Sequence, residues 1–514
     1  MTNEKDKILS DTELSNNIKP SLHFLNKGTF GYIFRDGNFI YKISHISDDE
    51  TIIKNNIVEA CFMNGRIHDK NEDNLNSIIQ GDVKIRKVGE FFKRYNLLRK
   101  DSNIVKKYFR DDKENILIIK MNKYKSDLYE DIKNKKIVLN YKNLIRIFKK
   151  LCYGLLVFHD NDFLHGDFKT CNILTNDDDI AIIDYGGLKL KNNPIYNLTC
   201  TLTYRCPEDL RREYSKEIVT NFNTKSDVWG LGLVLSEVIL GYNKIYKVYY
   251  RFKSFEMKEY NLDRKLLKWF ENNKIDIINE INEIDVNIEN DEKMTNLLNK
   301  INIMLETSEE KRPDDIRKIY EEITGEKINK NYKKEYNYDY TSILNEYYLG
   351  ELKEYEDIFY KIRRKCYLWL IEFGRKFNYI DSIPLAIDVS DRYFIRNLKN
   401  MGIEKDSINY ELFERLILCI LMLSQCFIYG QVIYFEKIAD MFMIDTKETD
   451  NIIKYINEII SNILEQLDFD IFRPFYDKNI NIKDEYDRKE KLYKKMVDYI
   501  SSDKIGIKPE DYYE

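Results

Sequence analysis

The stretch His165-Gly166-Asp167-Phe168-Lys169-Thr170-Cys171-Asn172, followed by Ile182-Ile183-Asp184-Tyr185-Gly186, constrains this chain more than any other. Carboxylates, a lysine, an asparagine and a glycine turn stand beside short apolar runs, Ile173-Leu174 and Ile182-Ile183, that read as strands. Asp, Asn and Gly also build ordinary turns, but this order of polar types between strands suits a loop that handles a phosphoryl group. Transfer to a hydroxyl needs a carboxylate to take the proton, ligands to hold Mg2+ on the phosphates, and a cation to offset the moving charge. Asp167, the Asn172/Asp184 pair and Lys169 are the candidates for these three tasks.

These residues resemble the catalytic loop and metal-binding turn of the protein kinase superfamily. Upstream, Lys27-Gly28-Thr29-Phe30-Gly31, with Ile33 after it, is similar to the glycine-rich loop that covers ATP phosphates, with Asn26 in place of its first glycine. The resemblance implies that Lys42 pairs with the α/β-phosphates and that Glu59, on the helical run Ile57–Met63, holds that lysine. Downstream, Thr201-Leu-Thr-Tyr204-Arg205-Cys-Pro207-Glu208 resembles the end of an activation segment. Asp227 and Arg312 follow in family order, implying a Glu208–Arg312 structural pair and an Asp227 brace for the catalytic loop. Lys169 with Thr201 looks like the serine/threonine version, and Arg205 after Tyr204 like the cyclin-dependent kinase branch. Two departures stand out: Gly166 replaces an arginine and Tyr185 a phenylalanine. The three basic positions that would clasp an activating phosphate read Val58, Gly166 and Lys189, with Tyr196 at the acceptor position, so activity independent of phosphorylation there is expected.

A chain of 514 residues is too long for one ordinary core, and a hydrophobic share of 43% can build more than one. Lysine and arginine number 82 against 87 acids, a net charge of −5, which gives no whole-chain field for nucleic acid or anionic membrane. The 8 cysteines form no C-x-x-C pair, which favours a reducing compartment, cytoplasmic or nuclear. Leu416–Phe435 is uncharged and about as long as a membrane span, but Gln425, Gly430 and Gln431 interrupt it. It reads as buried helices of a soluble domain. No membrane or nucleic-acid partner is expected.

The implied fold is α+β: a bilobal protein kinase fold over residues 18–325, a polar linker over 326–345, an all-α helical domain over 346–480 and a charged tail over 481–514. Within the helical domain, the runs around Arg363, Trp369 and Gly374, then Asp388, Asp391 and Arg392, then Leu467–Pro474, resemble a cyclin box. In that family a lysine and a glutamate contact the kinase, whereas here the corresponding positions are Cys426 and Ile460, with Glu458 nearby. The resemblance therefore implies an ATP- and Mg2+-dependent serine/threonine protein kinase acting on protein substrates, with a fused cyclin-like domain as activator in cis. The rivals are an inactive scaffold that binds partners through the helical domain and a small-molecule kinase. A kinase that carries its own cyclin suits a large DNA virus, and the Asn-, Ile-, Lys- and Tyr-rich composition suits an A+T-rich genome.

Overall fold

The computed structural model describes residues 19–28, 31–46, 50–64, 77–79, 81–177, 179–191, 200–215, 223–255, 262–284, 292–334, 356–401, 403, 408–428, 449–471 and 485–501. The chain opens with strands β1 (Ser21–Gly28), β2 (Gly31–Asp36) and β3 (Phe39–His45), then helix α1 (Glu50–Met63) and strand β4 (Asp82–Lys87). Helix α2 (Val88–Phe92), strand β5 (Asn96–Leu97) and helix α3 (Arg99–Tyr108) precede strand β6 (Asn115–Asn122). Together the strands form one sheet in the order β4-β6-β3-β2-β1-β5, antiparallel except for the β1–β5 edge.

Period-two alternation splits this sheet between two cores. Tyr41 and Ile43 of β3 and Ile116 and Ile118 of β6 face a cluster with Phe91, Phe92 and Phe109 from the α2–α3 region. Leu117 and Ile119 of β6 face the main core with α1. Lys42, between Tyr41 and Ile43, consequently points to the inner face, towards the cleft.

The large lobe starts at β7 (Ser126–Asp127), α4 (Leu128–Lys133) and the long α5 (Tyr141–Asp160). The Asn140 side chain caps α5 by accepting the Asn143 N–H at 2.9 Å. Strands β8 (Phe163–Leu164), β9 (Ile173–Asn176), β10 (Asp179–Ile182) and β11 (Lys189–Leu190) carry the loops of interest. Helices α6 (Pro207–Ser215), α7 (Lys225–Leu240), α8 (Lys244–Phe255), α9 (Leu262–Asn272), α10 (Ile277–Ile284), α11 (Glu292–Met304) and α12 (Ile316–Thr324) complete the lobe around buried Trp229.

The second domain is helical over its described residues: α13 (Glu356–Ile362), a π-helical turn (Arg363–Tyr367), α14 (Leu368–Phe377), α15 (Ile383–Asn397), α16 (Tyr410–Ile428), α17 (Thr449–Gln466) and α18 (Glu485–Ser501). Its centre is polar as well as apolar. Buried Arg363 donates to Asp391 at 3.1 and 3.4 Å, Tyr367 donates to the same carboxylate at 2.8 Å, and Arg392 pairs with Asp388 at 2.7 Å. Among the described residues no single helix is long and apolar enough to cross a membrane. The uncharged run is buried helix α16 as far as Ile428, and its remainder lies outside the described residues.

Two expectations need correction. The first part of the supposed linker is docked. Tyr332 N–H donates to Asp160 at 2.8 Å, Lys334 N–H donates to Asn161 at 2.8 Å, and Arg317 grips both Asp160 and the Lys330 carbonyl. Ile328 and Tyr332 are buried apolar anchors in a stretch whose polarity made it read as free chain. The charged tail includes α18, which packs Leu492, Met496 and Ile500 into the core and lies against α14. Its apolar positions recur at helical spacing among lysines, so overall charge concealed a packed face.

Helix α16 lies against α1, and α17 against β4 and β6. One contiguous set of buried apolar side chains runs from Ala60–Met63 of α1 into α16 and α17.

Candidate active site

Between the lobes lies a cleft of about 510 Å³ lined by Gly28, Ile33, Lys42, Glu59, Asn172 and Asp184, among others. Its ceiling is the β1–β2 hairpin and its floor is β9 with the β10–β11 turn. Lys42 Nζ hydrogen-bonds Glu59 of α1 and lies 4.0 Å from Asp184. Burial alone would lower the Lys42 pKa, but the Glu59 and Asp184 carboxylates hold it above its ordinary value, so it stays charged.

The catalytic-loop candidates converge tightly. Lys169 Nζ donates to Asp167 Oδ2 and, at 2.7 Å, to Thr201 Oγ1, while Thr201 N–H donates to Asp167 Oδ1 at 2.8 Å. Burial pushes the Asp167 carboxyl up, yet the Lys169 ammonium and the Thr201 bonds outweigh it and hold the pKa below the usual value. Asn172 Nδ2 donates to the Asp167 carbonyl at 2.9 Å, and the Ile183 N–H donates to the Asn172 carbonyl at 2.9 Å. That last bond seats Asn172 beside the turn carrying Asp184.

Asp227, the expected brace, accepts from the N–H groups of His165 (2.9 Å) and Gly166 (3.1 Å) and pairs with His159 at 2.9 Å. Burial raises its pKa, but these bonds more than reverse the shift. Asp184 is held at φ 68°, ψ 64°, a left-handed conformation that few non-glycine residues adopt and that marks a strained, over-determined position.

Both departures from the family motif have structural reasons. Gly166 sits at φ +75°, and a Cβ there would come within 2.8 Å of the Gly187 carbonyl and 3.1 Å of Lys189 Cε. The glycine removes backbone strain, and the Lys189 side chain packs into the space. Tyr185 is not a neutral swap for phenylalanine. Its ring packs on Phe62 of α1 at 4.4 Å and on Phe158 at 5.7 Å. Its hydroxyl bonds the Ile182 carbonyl and accepts the Ile79 N–H at 2.8 Å, fastening the turn that carries Asp184 to the strand bridge Ile78–Ile182. A buried phenol needs such partners, a signal that was present in the sequence but unread.

The expected nucleotide-loop residues fare unequally. Gly28 and Ile33 line the cleft, and Thr29 lies outside the described residues. Gly31 lies near Ile43, where an added Cβ would come within 3.0 Å of its carbonyl. The Lys27 side chain turns to α3, its ammonium lying over the rings of Tyr32 (5.4 Å) and Tyr108 (5.1 Å), which leaves only its backbone for the nucleotide loop. Sequence reading missed Leu25, Ile40, Met121 and Leu174, which give the cleft its apolar walls, and Cys171 at its edge.

The residues present suit a nucleotide and Mg2+. Among the described residues there is no cluster of three or more His, Cys, Asp or Glu. Mg2+ needs none, since it takes one or two protein ligands together with phosphate oxygens and water. Asn172 and Asp184 would hold it, within reach of charged Lys42.

Residues 89–324 match the family model described as protein kinase domain. Among curated proteins, the chain is 35% identical over 116 residues to CTD kinase subunit alpha of Saccharomyces cerevisiae, covering 22% of this chain and 21% of that protein. It is 31% identical over 138 residues to cyclin-dependent kinase 12 of Drosophila melanogaster (26% and 11%). It is 30% identical over 117 residues to serine/threonine-protein kinase ICK of Rattus norvegicus (22% and 18%). The chain thus spans about a fifth or less of these relatives' lengths. Residues 89–324 carry a protein kinase domain, similar to domains of serine/threonine and cyclin-dependent kinases. The match ends before the helical domain begins.

Proposed function

We propose that this chain transfers the γ-phosphate of ATP to serine or threonine hydroxyls of proteins, and that its helical domain activates it in cis as a cyclin-like module. The observation that carries the catalytic reading is the convergence of Asp167, Lys169 and Thr201 beside Asn172, which lines a cleft shared with Lys42, Glu59 and Asp184. Asp167, ionised at neutral pH, orients the acceptor hydroxyl and takes its proton. Lys169 stands beside it to offset charge on the moving group, and Lys42 fixes the phosphates. Bound ATP and Mg2+ supply the transferred group and the main neutralising charge.

Support for the second half comes from α1. Glu59 of α1 bonds Lys42, and α16 packs against that same helix. Buried apolar side chains of α1 share one core with α16 and α17. The docked strap over residues 326–334 keeps the effective concentration of the helical domain high, on the order of mM for a short tether.

Two experiments test this reading. Purified protein given labelled ATP, Mg2+ and generic protein substrates phosphorylates serine and threonine, while Asp184→Asn does not; equal labelling by both excludes the site. For activation in cis, a protease site is inserted between residues 340 and 345 of the full chain. After cleavage, activity persists at high concentration and falls on dilution as the two parts separate. Full activity at every dilution rules the helical domain out as activator.

A further inference from the structure

The two positions through which the cyclin family contacts its kinase are taken out of use here. Cys426 and Ile460 are both buried, and Ile460 belongs to the apolar core. A different set of groups faces the small lobe. On α17, Lys454, Glu458 and Glu465 lie four and seven residues apart, spacings that put them on one helix face. Opposite them stand Asp111, Lys87 and Arg86. Lys454 reaches Asp111 at 3.7 Å, Glu458 reaches Lys87 at 4.0 Å, and Glu465 reaches Arg86 at 3.7 Å.

The signs read plus, minus, minus on the helix against minus, plus, plus on the lobe. Arg86 and Lys87 are anchored on β4, paired in register with Ile116 and Asn115 of β6, so their positions are set by the sheet. Asp111 is fixed by accepting the Lys113 N–H at 2.8 Å. Burial holds the Glu465 carboxyl above its ordinary value, with Arg86 and Lys87 pulling against that shift without reversing it. Just beyond Glu465, Asp468 accepts from Asn64 through its backbone carbonyl at 3.2 Å and its carboxylate at 3.4 Å. Asn64 immediately follows α1, so the charged stripe ends on the helix that carries Glu59.

We propose that this three-pair stripe is a recognition code: it selects the chain's own helical domain over cyclin-like modules of other charge pattern and sets the position in which that domain holds α1. The proposal rests on activation in cis. Half-exposed pairs of this kind add little affinity; the adjoining apolar core supplies that. They fix register and reject wrong partners, because a reversed or shifted stripe sets like charges face to face. The mixed sign matters. A uniformly acidic helix would match Arg86 and Lys87 but repel Asp111, and a one-turn slip would bring Glu458 towards Asp111.

The test uses full-length protein with peptide phosphorylation and hydrogen exchange of the α1 amides as readouts. R86E/K87E and E458K/E465K each lower activity roughly tenfold, a typical size for coupling between sites, and speed α1 exchange. The four-substitution chain, in which both sides are reversed, recovers most activity and protection. D111K, K454D and their combination repeat the pattern at the third pair with a smaller effect. Thermal melts of all variants separate this from misfolding. Unchanged activity in both double variants overturns the code, as does a loss in both that the combined chain does not recover. The dilution experiment on cleaved protein reads activation in cis separately, so that a working activator with an indifferent stripe is distinguishable from no activator at all.

Discussion

Lys42–Glu59 in the small lobe and Arg312–Glu208 in the large lobe are buried ion pairs of the same kind with different surroundings. In both, burial lifts the carboxyl pKa while the cation pulls it down, and in both the cation stays charged. The Arg312 side chain is 0% exposed and its guanidinium stacks over Trp229 at 5.2 Å. The Lys42 side chain is 11% exposed, borders the cleft and reaches Asp184. The upper pair also joins a strand to a helix, α1, that another domain holds, whereas the lower pair fastens the start of α6 to the chain just before α12. Electrostatics alone does not separate a working pair from a structural one. What each pair borders, and whether its two elements can part, does.

The sharpest way to break this contrast is to compare catalysis with melting. Asp184→Asn and Lys42→Met lower turnover by about 10²-fold or more, the scale of losing one preorganised charge at a transition state, with small changes in melting temperature. Arg312→Met does the opposite. It leaves Glu208 buried without its cation and costs about 3–5 kcal/mol, while activity per folded molecule is retained. Adding Glu208→Leu recovers much of that loss, since a well-packed apolar pair replaces a buried ionic one. If Lys42→Met melts lower than Arg312→Met and keeps its activity, the two pairs have been assigned the wrong way round.

Asp227 sharpens the picture through pH. Its folded pKa is depressed, so its contribution is present above the ordinary value of about 3.9 and is lost as the pH falls below it. Asp227→Ala therefore costs about 1–3 kcal/mol at pH 7, and denaturant titrations at falling pH show the gap to wild type closing. A gap that stays constant down to pH 3 excludes an ionised Asp227 as the brace. Tyr185→Phe comes next, losing about 1 kcal/mol with a modest fall in activity, read from melts and initial rates. The smallest effect is expected from phosphatase treatment. Val58 is buried and apolar, position 166 is glycine, and Lys189 is buried against it, so none of these three positions offers an arginine to a phosphate. A large loss of activity after treatment contradicts that reading.

Much of the site was legible because phosphoryl chemistry restricts residue type and order. Asp167, Lys169, Asn172 and Asp184 can hardly be permuted along one loop and one strand turn, so their spacing carried the inference. Lys42 and Glu59 were legible only by their place in that order, since a lysine and a glutamate alone are commonplace. The Ile328–Tyr332 strap and α18 misled because a few apolar anchors are outnumbered by charges in any average over a window.

The sequence by itself determined the lobes, the loop from His165 to Asn172, the turn at Asp184 and the helical character of the second domain, since each follows from local periodicity or from the spacing of polar groups. Only the tertiary structure decided which way α17 faces, which charges meet across the small lobe, and how Gly166 and Tyr185 are accommodated. Those outcomes depend on contacts between residues hundreds of positions apart, such as Asn64 with Asp468 and Arg86 with Glu465. No local pattern encodes them, because the free energy that selects them belongs to the packed surfaces and not to either segment alone.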